Sequence, residues 1–185
     1  MIFFTSDLHI GHKNIIKLCN RPFYSLEEMD ESLIENWNQV VTNGDTIYVV
    51  GDLMFRTPND PNCILRRLKG KKHLIVGNHD NSWLNKVNAD TYFKSIERYV
   101  EISDGQRKLA LCHYPMMTWG GTGKGSYLIH GHIHNNRDAA YWPLLASMPH
   151  ALNASVEVNQ YQPATFDQLV LNNEVFKSTD IITVE

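Results

Sequence analysis

Five short apolar runs in this chain end alike, and that shared ending limits what the chain can fold into. Ile2-Phe3-Phe4 leads into Asp7-Leu8-His9, and Ile47-Tyr48-Val49-Val50 into Gly51-Asp52. Leu74-Ile75-Val76 leads into Gly77-Asn78-His79-Asp80, and Leu109-Ala110-Leu111-Cys112 into His113. Tyr127-Leu128-Ile129 leads into His130-Gly131-His132-Ile133-His134. Apolar, β-branched runs of this length, bounded by turn residues, read as buried strands. In open α/β sheets, ligands collect just past the carboxyl ends of the strands. Carboxylate, imidazole and carboxamide therefore gather at one end of the fold, and one site is expected there.

The segments between the runs predict the connections. Ser25-Leu26-Glu27-Glu28 reads as a capping box, with Ser25 as N-cap and Glu28 reaching back to it. Leu26, Met29, Leu33, Trp37, Val40 and Val41 then share a helical face, which ends at Asn43-Gly44. A short helix is expected from Lys13 to Leu18, and another from Pro61 to Leu68 with Pro61 in its first turn. The order up to Val76 is βαβαβ, which predicts parallel strands with right-handed crossovers. Beyond Asp80 the pattern changes. The stretches from Arg98 to Ile102 and from Lys108 to Cys112 flank Asp104-Gly105, a hairpin signal. A strand follows around Leu152 to Val158, a helix opens at Pro163 and runs through Leu169, and a last strand spans Val175 to Val184.

At 185 residues the chain is expected to form one domain, residues 1–185, with a substantial core. Cys19, Cys63 and Cys112 have no paired spacing, so reduced thiols are expected in place of disulfides or a structural zinc. The net charge of −3, with Lys and Arg scattered, leaves no footprint for tight non-specific nucleic-acid binding, though a nucleotide substrate stays open. The apolar runs are too short to cross a bilayer, and the chain starts on a strand with no signal-peptide pattern. A cytoplasmic protein without a membrane partner is expected.

Five of the nine histidines, His9, His79, His113, His132 and His134, fall at the positions that carry the chemistry. Asp7-x-His9 can aim two donors at a common cation from an extended turn. Asp52 adds a carboxylate, Asn78 a carbonyl oxygen, and His113, His132 and His134 add imidazoles. Oxygen and nitrogen donors without sulfur suit Mn, Fe or Zn better than Ca. These ligands are too many for one such ion. If one carboxylate bridges, they fit two, and two-metal sites activate water and clamp in-line displacement at phosphorus.

Taken together, Asp7-x-His9, Gly51-Asp52, Gly77-Asn78-His79-Asp80, His113 and Gly131-His132-x-His134 resemble the signature of the calcineurin-like metallophosphoesterases. The resemblance implies an α/β fold, a four-layer αββα sandwich of two mixed sheets flanked by helices. It implies two divalent ions per chain, Mn foremost, with Fe, Zn, Ni or Mg as others. Asp7, His9 and His134 would hold one ion, Asn78, His113 and His132 the other, with Asp52 bridging. A bridging hydroxide would attack phosphorus, and His79 would protonate the leaving group. Two departures from the protein phosphatase branch follow. Phe55 stands where those enzymes carry the Asp that orients the catalytic His, and Ser82 stands where they carry an Arg; Arg56 matches their first phosphate-holding Arg. The chain thus looks like a small bacterial or phage-type phosphoesterase outside that branch.

Blander readings apply elsewhere. His73, His130 and His150 read as structural, hydrogen-bonded histidines. His12 either lines the substrate pocket beside His9 or caps the following helix, and Asp80 reads as a turn or cap residue. The stretch from Gly120 to Ser126 lacks Ser or Thr after Lys124 and leads into a strand, so it is a rim loop and not a Walker loop, with Trp119 packed under it. The expected function is a phosphodiesterase acting on a small or nucleotide-type phosphoester. A phosphomonoesterase or nuclease of the same chemistry is the alternative. A non-catalytic scaffold ranks last, because every ligand and His79 are present.

Overall fold

The central strands of this chain carry apolar residues on both faces, and the fold buries both. The computed structural model describes residues 1–55 and 60–178. Eight strands are found among them: β1 (Ile2–Thr5), β2 (Thr46–Val49), β3 (Lys71–Ile75), β4 (Phe93–Glu97), β5 (Tyr99–Ser103), β6 (Lys108–Cys112), β7 (Tyr127–His130) and β8 (Ala151–Asn153). The helices are α1 (Ile15–Leu18), α2 (Leu26–Val40), α3 (Pro61–Arg67), α4 (Asn81–Leu84), α5 (Trp142–Ala146) and α6 (Phe166–Ser178). The first sheet has the order β1-β2-β3-β4 and the second β5-β6-β7-β8.

The first sheet is wholly parallel, as the βαβαβ order predicts, where the resemblance implied a mixed sheet. In the second, β5 and β6 are antiparallel and β6, β7 and β8 parallel. Among the described residues the Asp104-Gly105 turn is the one hairpin, and every other link within a sheet is a crossover. The edge strand β4 has no counterpart among the apolar runs, because it is half polar (Phe-Lys-Ser-Ile-Glu) and mostly uncovered.

Strand alternation builds three cores, and three cores make four layers. Phe3, Ile47, Val49 and Leu74 face Met29, Leu33, Ile34 and Trp37 of α2. Their neighbours Phe4, Val50 and Ile75 point the other way and meet Leu109, Leu111, Ile129 and Leu152 between the sheets. Ala110, Leu128 and Ala151 face outward under Trp119 and Leu145 of α5.

Local signals account for the helix ends. The Ser25 hydroxyl accepts from the Glu28 N–H at 3.1 Å, and the Glu28 carboxylate accepts from the Tyr24 N–H at 2.8 Å, one residue before the expected partner. Asp60 caps α3, with Pro61 at its start. Two expectations shift at the carboxyl side. The strand at Ala151 stops at Asn153, because Asn159 Nδ2 donates to the carbonyls of Asn153 and Ser155 and curls the backbone there. Val175–Ser178 is helical as the end of α6, where a strand was expected; residues 179–185 lie outside the described residues. The β1 edge is closed by Phe4 and Ala164, which exchange backbone hydrogen bonds of 2.8 and 2.9 Å. No helix among the described residues is long and apolar enough to cross a membrane.

Candidate metal centre

The candidate ligands sit in the loops that leave β1, β2, β3, β6 and β7, and the backbone there is unusual. Asp7, His9, Asp52, His132 and His134 all have φ between 51° and 72°. Non-glycine residues rarely enter this left-handed region, and Asp and His are among those that tolerate it. The β1 and β2 loops are laced together, since the Asp7 N–H donates to the Gly51 carbonyl and the His9 N–H to the Asp52 carbonyl, each at 3.0 Å. Two motif glycines allow close approach. A Cβ at Gly77 would lie 2.2 Å from Asp52 Oδ1, and one at Gly131 would lie 2.4 Å from Asp7 Oδ2.

The side chains converge on Asp52. Its Oδ2 lies 3.4 Å from His113 Nε2, 3.5 Å from His9 Nε2 and 4.0 Å from His79 Nε2. Asn78 Oδ1 lies 3.0 Å from His113 Nε2 and 3.1 Å from His132 Nδ1. On the other side, Asp7 Oδ1 lies 3.8 Å from His134 Nε2 and 4.0 Å from His9 Nε2. The donor atoms of Asp7, His9 and His134 lie within 4.8 Å of one another, as do those of Asp7, Asp52 and His113. All seven sequence-predicted ligands are thus brought together.

This donor set fits divalent cations. His9 Nε2 is buried and has no hydrogen-bond partner, an orphaned polar atom between two carboxylates. Burial, reinforced by the charge of His134, pushes the His9 pKa down to about 2, which keeps the ring in its ligand form. Burial also opposes charge on Asp52, yet hydrogen bonds from His113 and from the His79 N–H hold its pKa down to about 2. For His113, burial is outweighed by the hydrogen bond to Asp52 and the charges of Asp7 and Asp52, and its pKa rises to about 9. His134 rises to about 11, burial being outweighed by Cys19, Glu157 and Asp7. Without cations, these two imidazoles carry the protons that neutralise the carboxylates.

A surrounding shell fixes the ligands. Asp7 Oδ2 accepts from the hydroxyls of Ser6 at 2.6 Å and Ser155 at 2.8 Å and from the His132 N–H at 2.9 Å. Glu157 lies 3.0 Å from His134 Nδ1 and accepts from Arg21 at 2.7 Å; the same guanidinium donates to the Asp7 and Leu8 carbonyls. Asp80 is no mere turn residue. It accepts from the N–H groups of Asp52, Leu53 and Gly77 and from the Trp83 indole, all at 2.8–3.0 Å. Phe55 meets His79 edge-on at 4.8 Å and stacks on His12 at 3.9 Å, so ring packing holds His79 where an Asp is missing. His12 is both a pocket and a helix residue: its Nδ1 lies 3.4 Å from His9 Nδ1, and its carbonyl accepts from Ile15 at the start of α1. Arg56 lies outside the described residues. Ser6, Arg21, Ser155 and Glu157 carry no local signal in the sequence.

A family model described as calcineurin-like phosphoesterase matches residues 1–157. The chain belongs to that family. An uncharacterized protein of Methanocaldococcus jannaschii is 36% identical over 171 residues, covering 91% of this chain and 89% of that one. The gene 66 protein of Mycobacterium phage L5 is 29% identical over 162 residues, covering 72% and 77%. A solved structure of a protein of unknown function from Aquifex aeolicus superposes with a TM-score of 0.67 at 30% identity, covering 88% of this chain and 94% of that one. Metallophosphoesterases use divalent metals, and the converged donors provide for them.

Two outcomes are expected. Because His113 and His134 hold protons that ligation removes, metal binding at pH 7.5 should release about two protons per chain, read by calorimetry in buffers of different ionisation enthalpy. Affinity should fall as the pH drops. Glu157→Gln, which weakens the orientation of His134, should reduce metal affinity by roughly 10–100-fold with an unchanged circular dichroism spectrum.

Proposed function

We propose that the protein is a two-metal phosphodiesterase acting on a small phosphoester in the cytoplasm. The observation that carries this reading is the placement of Asp52 Oδ2 between donors from both sheets, His9 on one side and His113 on the other. In this reading Asp52 bridges, Asp7, His9 and His134 complete one cation site, and Asn78, His113 and His132 complete the second. Bound divalent ions would supply Lewis acidity toward the phosphoryl oxygens and activate water for attack.

The chain's own groups do the rest. His79 has its backbone N–H committed to Asp52 Oδ1 at 2.9 Å and its side chain 36% exposed on the open side of the cluster. That imidazole holds the proton for the departing ester oxygen. Its orientation comes from Phe55, whose own stacking partner His12 floors the same side. Ser82 turns its hydroxyl back onto the His79 carbonyl at 2.8 Å, in place of the arginine that a phosphate dianion would favour. Arg56 is the remaining basic residue assigned to the phosphate. A diester monoanion suits this electrostatic balance better than a monoester dianion.

Three measurements test the proposal. Elemental analysis of metal-reconstituted protein should give about two ions per chain; one ion with full activity under metal excess would refute the pairing. His79→Asn should keep both metals and lose about 10²–10⁴-fold in rate with poor alkoxide leaving groups, and far less with nitrophenolates. Bis(p-nitrophenyl) phosphate should be cleaved with higher kcat/KM than p-nitrophenyl phosphate, and Arg56→Ala should weaken both by about 1.5–3 kcal/mol. The reverse substrate order would favour a monoesterase.

A further inference from the structure

The segment that follows His113 opens an apolar pocket. Met116, Met117, Tyr141, Leu144, Leu145 and Met148 line a cavity of about 260 Å³, and Pro115 completes it. Leu145 is buried within the outer core beside Trp119 and Ile133. Met117, Tyr141 and Leu144 are 66%, 45% and 48% exposed. Large apolar side chains bared together around a depression mark a binding surface, unlike apolar residues scattered singly. No lining residue carries a charge.

The pocket begins two residues beyond the candidate ligand His113. Tyr114 is half exposed and sets its ring edge-on to His132 at 4.5 Å and to His113 at 5.2 Å. The next residue, Pro115, already lines the pocket. At roughly 3.5 Å per residue, the Cα atoms of His113 and Pro115 are at most about 7 Å apart. On the opposite wall, Tyr141 and α5 follow the loop that carries His132 and His134. The Tyr114 ring thus packs on two candidate ligands and is followed in the chain by the residue that opens the pocket.

We propose that this pocket is the subsite for one ester group of the substrate and that this group is an uncharged aromatic ring system. The inference rests on the phosphodiesterase reading above. A volume just under the roughly 300–1,000 Å³ of drug-sized pockets holds one ring system and not a polymer. Thioethers are polarizable and favour contact with ring edges, and three of them line this cavity. The Tyr141 hydroxyl is the one polar side-chain group in the lining, so the pocket selects shape and apolarity over a hydrogen-bonding pattern.

Methionine-methyl NMR tests this directly, because three of the six methionines line the pocket and Met29 lies buried in the other core as a control. The full chain, labelled with [13C]methyl methionine and loaded with Zn, is titrated with two non-hydrolysable monoanions, dimethylphosphinate and methyl(naphthylmethyl)phosphinate. The naphthyl ligand should move the Met116, Met117 and Met148 signals by ring current, leave Met29 in place and bind at least about tenfold tighter than the methyl ligand. Leu144→Asp, at a half-exposed position of α5, should abolish that preference. Metal-dependent binding of both ligands with equal affinity and unmoved methionine signals would overturn the pocket assignment alone. Absence of metal-dependent binding by either ligand would overturn the phosphohydrolase reading and this inference together. Pocket signals that shift with protein concentration and not with ligand would overturn the subsite in favour of a self-association surface.

Discussion

The carboxylate of Asp80 is the interaction on which the site depends. It is buried, and it collects N–H donors from the loop after β2, the loop after β3 and the Trp83 indole. Burial raises its pKa against the pull of those donors. Three backbone N–H groups would otherwise be stranded in the interior, each at a cost of about 1–3 kcal/mol. By satisfying them, Asp80 sets Asp52 and Asn78 side by side and turns His79 outward. Three of its four partners are backbone N–H groups, so a pairing of side chains shows only the Trp83 indole.

The second constraint is conformational. Five ligands in left-handed backbone cost roughly 1–3 kcal/mol each, a sum comparable with the whole stability of a domain. Such strain persists where the surroundings over-determine it. Here they do so through the laced β1 and β2 loops, the Arg21 guanidinium gripping the Asp7 and Leu8 carbonyls, and glycines that let Asp52 and Asp7 come close. Cation binding adds a further opposing term, because ligation energy is folding energy.

The sequence was readable where the determinant is local. Apolar runs ending in Asp, Asn or His marked β1, β2, β3, β6 and β7, and the same endings marked all seven converged side chains. Spacing could not find pairs made by the fold. Arg21 and Glu157 meet across 136 positions, and Ser155 reaches Asp7 across 148. Phe55 departs from the protein phosphatase pattern in sequence, but its packing between His12 and His79 is a tertiary fact. The start of the expected last strand, Val175–Ser178, is helical for a related reason. Asn173 accepts the Asn153 N–H and donates to its carbonyl, anchoring α6 against β8 and letting the helix run on through an exposed Val175.

The converged donors come from both halves of the sandwich: Asp7, His9, Asp52 and Asn78 from the first sheet, and His113, His132 and His134 from the second. The apolar layer of Phe4, Val50, Ile75, Leu111 and Ile129 between those halves therefore acts as a calliper. Its thickness fixes how closely the donors of the two sheets approach one another. A methyl group gained or lost in that layer changes the fit of the donor cluster. Drift in the interior of this protein is thus filtered by chemistry at its surface, and the core cannot wander independently of the catalyst it carries.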